Sequence, residues 1–151
     1  MNGQDEGVKT KDTYEAFSST VDTVLMGWKT YDQVVNVLSP EVWPYADKKT
    51  IVFTHQKKIS VDNISFTDRN PITVVKELQK EEGKDIWVCG GASIVQQLMQ
   101  DNRIDRYDIS IIPVILGKGI RLFPEGKNNV DLRLVSNVLN NGIAELVYEV
   151  R

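Results

Sequence analysis

Two glycine turns are the features of this 151-residue sequence that could carry chemistry. Gly90 and Gly91 directly follow the apolar run 86–89. After them, apolar residues recur at the spacing of one helix face, at 94, 95, 98 and 99. The first-turn N–H groups and the positive end of such a helix dipole favour a phosphate, which bare glycine backbone allows to come close. Ser93 in the first turn could add a hydroxyl. The same pattern also occurs where two glycines only make a tight turn.

Gly27 stands in a second arrangement of the same kind. It ends the apolar run 23–26 and precedes a helical face that ends at Ser39 and Pro40. The order strand, glycine, helix therefore occurs twice, and the two turns are the first candidates for a ligand site.

Few other side chains suggest catalysis or metal binding. With one histidine, His55, and one cysteine, Cys89, a tetrahedral zinc site is not expected, and we predict no metal. Cys89 lies inside an apolar run, which predicts a buried core thiol rather than a reactive one. Tyr14 and Phe17 share one side of a short helix, where they either pack in the core or line a substrate pocket. No residue is identified as a proton donor.

The composition is that of one globular domain. The sequence is 41% hydrophobic and 26% charged. Its net charge of −3 argues against nucleic-acid binding, which needs a basic surface. No apolar run is long enough to cross a membrane, so no membrane partner is expected. A single cysteine rules out an internal disulfide and favours a cytoplasmic location.

Alternating strands and helices predict an α/β domain with a mostly parallel sheet. Strands are expected at 23–26, 50–54, 64–66, 86–89 and 107–112, and helices near 12–20, 28–38, 71–82 and 92–101. The apolar run 86–89 is typical of a strand buried on both faces. Near the C-terminus, two alternating runs flank Asn141 and Gly142, which predicts an antiparallel hairpin and makes the sheet mixed.

Three segments resemble the dihydrofolate reductase-like superfamily: VDTVLMGWKTYDQV (21–34), IWVCGGASIVQQL (86–98) and DRYDISIIPVILGKGIRLF (105–123). They are most similar to the branch that contains the C-terminal reductase domain of the riboflavin-biosynthesis deaminase-reductase, and the third segment is the most specific for that branch. The resemblance covers roughly residues 12–150. It implies a three-layer dihydrofolate reductase-like fold in one domain.

The resemblance also implies an NADPH site at the carboxyl ends of the strands. Three groups of residues match it: Gly27, Lys29 and Thr30 at one helix start; Thr54, His55 and Lys57 at the strand end that holds the 2′-phosphate; and Gly90, Gly91, Ala92, Ser93 and Ile94 in the pyrophosphate loop. Relatives often have a cis peptide between the two glycines. Trp28 stands where relatives commonly have arginine, so a bidentate phosphate donor is lost, although the indole could stack on the adenine.

The beginning of the chain departs from the family pattern. Relatives start with a central strand, whereas Asn2-Gly3-Gln4-Asp5 resembles the loop after that strand. We therefore expect that the sequence lacks this first strand, or that another chain supplies it. Direct pairing of the strands at 85–89 and 107–112 would contradict this expectation.

The resemblance implies an NADPH-dependent reductase for a small heterocyclic or carbonyl substrate, such as 5-amino-6-(5-phosphoribosylamino)uracil. Two alternatives remain open: an NADP-binding protein without turnover, and a dimeric structural relative that binds nothing specific. Relatives are often homodimers, and residues 109–116 and 134–148 offer more apolar surface than one sheet face needs. A homodimer is therefore expected.

Overall fold

The computed structural model describes residues 13–123, 125–126 and 129–151. Within them, four parallel strands form one sheet in the order β3-β2-β1-β4. The strands are β1 (Val21–Gly27), β2 (Lys49–Phe53), β3 (Ile64–Thr67) and β4 (Asp85–Gly90). The helices are α1 (Thr13–Ser19), α2 (Trp28–Gln33) with a π-helical continuation Val34–Leu38, α3 (Pro71–Leu78) and α4 (Ala92–Gln100).

The core lies on both faces of this parallel sheet, because successive side chains of a strand point to opposite faces. On one face, Leu25 and Ile51 pack against α3 and α4. On the other face, Val24, Met26 and Val52 pack against a group of aromatic side chains. We call this group the aromatic layer: Phe17, Trp28, Tyr31, Trp43, Tyr45, Phe66 and Trp87.

Local signals set several of the element ends. Asn70 caps α3, with its Oδ1 accepting from the N–H groups of Ile72 and Thr73, as an Asn-Pro start predicts. The helix ends at Leu78, four residues before the expected end at 82. Gly83 lies beyond this helix end, and a Cβ there would lie 2.8 Å from Oδ2 of Asp22.

Asp22 connects the beginnings of β1 and β4. Its Oδ2 accepts from the N–H of Lys84 at 2.7 Å, and its Oδ1 accepts from the hydroxyl of Thr23 at 2.8 Å. These two bonds, the backbone one first, hold the pKa of the Asp22 carboxyl below its usual value. The absence of a side chain at Gly83 thus leaves room for the carboxylate that aligns the two strands.

The C-terminal part forms a separate antiparallel sheet, in the order β5-β7-β6. Its strands are β5 (Arg106–Ile111), β6 (Leu132–Asn140) and β7 (Ile143–Val150). The hairpin turns at Asn141 and Gly142, as predicted, with φ values of +49° and +78°. Two consecutive positive φ angles are the mark of a type I′ turn.

The predicted α/β class, with a parallel part and an antiparallel C-terminal part, is confirmed. The arrangement differs in one respect, because the two parts do not form one continuous sheet. β4 pairs only with β1, and β5 pairs only with β7, within the described residues. Direct pairing of the strands at 85–89 and 107–112, which would have contradicted a missing first strand, is therefore not observed. The missing first strand stays a prediction. Residues 2–5, on which that prediction rests, lie outside the described residues, and so does residue 12, the expected start of the first helix.

The prediction that residues 86–89 are buried on both faces is wrong, because their side chains are less buried than expected. All four are only partly buried, because β4 is the last strand of the parallel sheet and its outer edge carries no neighbouring strand among the described residues. None of the described helices is long and apolar enough to span a membrane.

Candidate functional site

The two glycine turns meet at the carboxyl end of the parallel sheet. From β1 the chain continues to β2 on one side, and β4 lies on the other side of β1. Such a reversal of strand order opens a crevice outside the strand ends, which is where ligands bind in open α/β sheets. Gly27 ends β1 and Gly90 ends β4, so both turns border this crevice.

Distances show how close the two turns are. A Cβ placed on Gly27 would lie 3.4 Å from Cδ1 of Ile94 and 3.8 Å from the nitrogen of Gly91. A Cβ on Gly90 or Gly91 would lie 3.6 or 3.7 Å from Oγ1 of Thr30. The peptide between Gly90 and Gly91 is cis. Five residues predicted for the cofactor site thus lie close together around the two turns.

The helices that start at these turns begin differently from α3. Gly27 is the N-cap of α2 and Gly91 that of α4, and neither helix start has a side-chain cap. α3, by contrast, has its first N–H groups bonded to Asn70. Ala92 and Ser93 form the first turn of α4, and Ser93 is exposed. An uncapped helix start leaves N–H donors and dipole charge available for an anion.

The third predicted group lies at the end of β2, next to β1. Thr54 is buried; its N–H donates to the carbonyl of Thr67, and its Oγ1 accepts from the N–H of Gln56. His55 and Lys57 are exposed on the following loop, and Lys29 is exposed on the first turn of α2. The structure therefore places these three side chains at the same end of the sheet as the crevice.

Lys58 also lies at this site, although the sequence did not identify it as a candidate site residue. Its Nζ lies 4.4 Å from the ring centroid of Trp28, in cation–π contact. Trp28 also packs against Tyr31 and Phe66, with ring centroids 5.5 and 6.4 Å away. One side of the indole is thus covered by a lysine beside the crevice, so adenine stacking there would require Lys58 to move.

The predicted substrate-pocket residues lie on α1, against β4. The Phe17 ring is 5.2 Å from that of Trp87, and the Tyr14 ring is 6.4 Å from it. Phe17 also lines a cavity of about 440 Å³ beside β4, whereas Tyr14 is 53% exposed. The structure thus brings both next to β4, on the side of the aromatic layer.

A phenol and a thiol meet next to the Gly90 turn. The Tyr45 hydroxyl lies 3.9 Å from Sγ of Cys89, and either atom can donate. Burial raises the pKa of both groups, so both stay protonated at neutral pH. Cys89 is partly buried within the aromatic layer, in line with an unreactive thiol. No group of residues suited to a metal ion occurs within the described part of the chain.

Comparison with known proteins identifies the family of this chain. A profile of the RibD C-terminal domain matches residues 9–143. The chain belongs to the RibD C-terminal domain family. The resemblance to this dihydrofolate reductase-like branch is thereby confirmed.

Two proteins of Bacillus subtilis (strain 168) are similar in sequence to this RibD C-terminal domain. The uncharacterized protein YwjB is 42% identical over 122 residues, which cover 80% of this chain and 69% of YwjB. The uncharacterized protein YyaP is 31% identical over 142 residues, which cover 87% of this chain and 76% of YyaP.

Two crystal structures share the fold of the RibD C-terminal domain described above. One is a proposed riboflavin biosynthesis protein from Shewanella sp. PV-4, with a TM-score of 0.81 and 20% identity, covering 97% of this chain and 82% of that one. The other is a pyrimidine reductase-like protein from Corynebacterium diphtheriae, with a TM-score of 0.62 and 15% identity, covering 93% and 82% of the two chains. The chain therefore has a reductase-like fold.

Proposed function

We propose that this protein is an NADPH-dependent reductase that acts on a small heterocyclic or carbonyl substrate, such as 5-amino-6-(5-phosphoribosylamino)uracil. The proposed location is the cytoplasm. The observation that carries the proposal is the meeting of two uncapped, glycine-started helices at the crevice between β1 and β4. Family membership and the reductase-like structural neighbours support it.

The residues present fit a dinucleotide phosphate. Gly27, Gly90 and Gly91 leave the backbone open between the two helix starts, and the Thr30 hydroxyl stands beside them. Ala92 and Ser93 supply first-turn N–H groups for a pyrophosphate, and Ile94 is a buried apolar contact below them. At the end of β2, His55 and Lys57 offer positive or hydrogen-bonding groups for a 2′-phosphate.

The bound cofactor would supply a hydride to the substrate. The residues of the chain bind and orient the cofactor and the substrate. The two helix starts hold the phosphates of the cofactor. The aromatic layer beside the end of β4 gives an apolar surface against which a flat heterocycle can pack. Phe17 and Tyr14 are proposed to border the substrate on that side.

NADPH is expected to bind more tightly than NADH, because Lys29, His55 and Lys57 carry the polar groups near the proposed 2′-phosphate position. Replacing Lys57 by alanine should reduce the NADPH preference by about 3- to 10-fold, since one exposed charge-assisted contact is worth about 1 kcal/mol. Titration of tryptophan fluorescence with each cofactor measures the ratio.

Lys118→Ala is the matched control, because Lys118 is exposed in the turn after residue 116 and should leave the ratio unchanged. Equal affinity for the two cofactors in the unaltered protein would contradict the NADPH assignment. Oxidation of NADPH on addition of the ribosylaminopyrimidine supports a reductase, whereas tight NADPH binding without oxidation supports binding without turnover.

We further propose a homodimer through the antiparallel sheet. The strand register places Ile111, Leu134 and Leu139 on one face together with Tyr107 and Leu146. The first three are 53%, 48% and 83% exposed, so much of this apolar face is uncovered. A large exposed apolar surface of this kind is typical of an interface.

Leu139→Lys is expected to convert the dimer to a monomer, because it places a charge in the apolar face. Ser136→Lys is the control, since Ser136 lies on the opposite face of the same strand and is exposed. Light scattering measures the mass of each variant. A monomeric mass for the unaltered protein at high concentration would rule out the dimer.

A further inference from the structure

Tyr45 brings a hydroxyl group to the carboxyl end of β4. Its ring packs edge-on against that of Trp87, with centroids 5.4 Å apart. Its oxygen lies 3.9 Å from Sγ of Cys89, the residue directly before the Gly90 turn. The side chain is only partly buried, so the phenol is not sealed within the core. A polar group thus stands beside one of the two turns that border the crevice.

The turn that carries Tyr45 is fixed by Asn63. Nδ2 of Asn63 donates to the carbonyl of Tyr45 at 3.1 Å. It also contacts the carbonyls of Ala46 and Lys48. The N–H of Lys48 donates to the Tyr45 carbonyl at 3.0 Å and closes the turn. These bonds and the ring contact with Trp87 hold the hydroxyl in position before any ligand arrives, as a catalytic group requires.

The partner of the Tyr45 hydroxyl in the structure is a weak one. A thiol sulfur is a poor acceptor, and an S–H group is a poor donor. The phenol O–H can therefore exchange Cys89 for an oxygen or nitrogen atom of a ligand at little cost. Burial is the main cause of the raised pKa of Tyr45, and the neighbouring Cys89 and Tyr14 add to it. The hydroxyl therefore remains a protonated donor at neutral pH.

The order of the strands places the reacting end of the cofactor near β4. This step rests on the proposed function, in which the 2′-phosphate lies at the end of β2 and the pyrophosphate at the Gly27 and Gly90 turns. The strands follow one another in the order β2-β1-β4. A dinucleotide that begins at β2 and crosses β1 therefore has its nicotinamide at the carboxyl end of β4. Tyr45 lies at that same end.

We propose that the Tyr45 hydroxyl is the catalytic group that donates a proton to the carbonyl oxygen or imine nitrogen of the substrate. Reduction forms a C–H bond at the carbon, and the electron pair of the C=O or C=N bond moves to the heteroatom. That atom takes the phenol proton, and the phenolate regains a proton from water. A donor aimed at the atom where negative charge develops stabilises the transition state more than the ground state. Tyr45 thus fills the role of proton donor, for which the sequence identified no residue.

The test replaces Tyr45 by phenylalanine, which keeps the ring and removes only the hydroxyl. With NADPH and the ribosylaminopyrimidine, kcat should fall by about 100-fold, because a positioned acid contributes at least about that factor. The affinity for NADPH alone, measured by calorimetry, should be unchanged. In the complex with NADP⁺, which cannot give a hydride, the ribosylaminopyrimidine should bind about 3- to 10-fold more weakly, since one hydrogen bond is lost.

Two control variants separate this role from packing. Tyr148→Phe removes a hydroxyl from β7 in the antiparallel sheet and should leave kcat unchanged. Cys89→Ala removes the thiol partner of Tyr45. It should lower kcat by no more than about threefold, because the hydroxyl acts on the substrate and the bond to the thiol is weak.

An unchanged kcat in Tyr45→Phe, with NADPH oxidised normally by the unaltered protein, would overturn this inference and leave the proposed reductase function standing. An equal loss of kcat in Cys89→Ala, or weaker NADPH binding by Tyr45→Phe, would also overturn it, because the phenol would then only support the shape of the site. Unchanged binding of the ribosylaminopyrimidine to the NADP⁺ complex of Tyr45→Phe would do the same. If the unaltered protein does not oxidise NADPH, the reductase function itself fails, and this inference fails with it.

Discussion

Replacing Leu25 by alanine is expected to lower the free energy of unfolding by about 3–5 kcal/mol. Leu25 is 0% exposed and packs with Ile51, Val75 and Leu98. It lies in the middle of β1, with Ile51 and Val88 as its register partners on the two sides. Because sheet strands surround it, the neighbouring backbone cannot collapse into the space that alanine would leave, which places the cost in the upper part of the range.

The matched control is Leu38→Ala, the same substitution at a side chain that is 67% exposed at the end of the π-helical turn. It should change stability by no more than about 0.5 kcal/mol. Urea denaturation of both variants measures the difference. A loss below about 1 kcal/mol for Leu25→Ala would mean that β1 is not the centre of the core.

Replacing Gly90 by alanine is expected to weaken NADPH binding by about 5- to 150-fold. Gly90 has φ +139°, a conformation that side-chain-bearing residues rarely adopt, at a cost of about 1–3 kcal/mol. Space is not the obstacle, because the new Cβ would lie 3.6 Å from Oγ1 of Thr30. The free variant relieves the strain by shifting the turn. NADPH binding must then restore the original turn, so the binding free energy is weakened by the cost of that conformation.

Gly117→Ala separates this effect from general destabilisation. Gly117 also has positive φ, at +66°, but a Cβ there meets nothing within 4 Å. The variant should lose about 1–2 kcal/mol of stability and bind NADPH normally. Calorimetric titration of both variants with NADPH gives the comparison. Loss of binding in both, or in neither, would show that the Gly90 turn does not hold the cofactor.

Local signals made much of the fold predictable from sequence. Asn70 and Pro71 gave the start of α3, and Asn141 and Gly142 gave the hairpin, because caps and tight turns depend on only a few adjacent residues. The two glycine turns were recognisable for the same reason. The closeness of the two turns at Gly27, Gly91 and Ile94 then follows from the order of parallel strands.

Features that depend on distant pairings were not predictable. The division into two sheets is decided by whether β4 and β5 bond to each other, and no local pattern carries that information. The burial of residues 86–89 was overestimated for the same reason. Lys58 was missed because Lys57 is adjacent, and sequence alone does not tell which of the two side chains reaches Trp28. The contact of Tyr45 with Cys89 joins residues 44 positions apart.

The aromatic layer has a consequence for spectroscopy. Trp28, Trp43 and Trp87 are the three tryptophans of the chain, and all three lie on one face of the parallel sheet. Intrinsic emission excited at the indole bands therefore reports mainly on that sheet rather than on β5, β6 and β7. Circular dichroism in the far ultraviolet averages over both sheets. Coincident melting curves from tryptophan emission and circular dichroism would mean that the two sheets unfold as one cooperative unit. The position of the indoles therefore allows these two measurements to test cooperativity between the sheets.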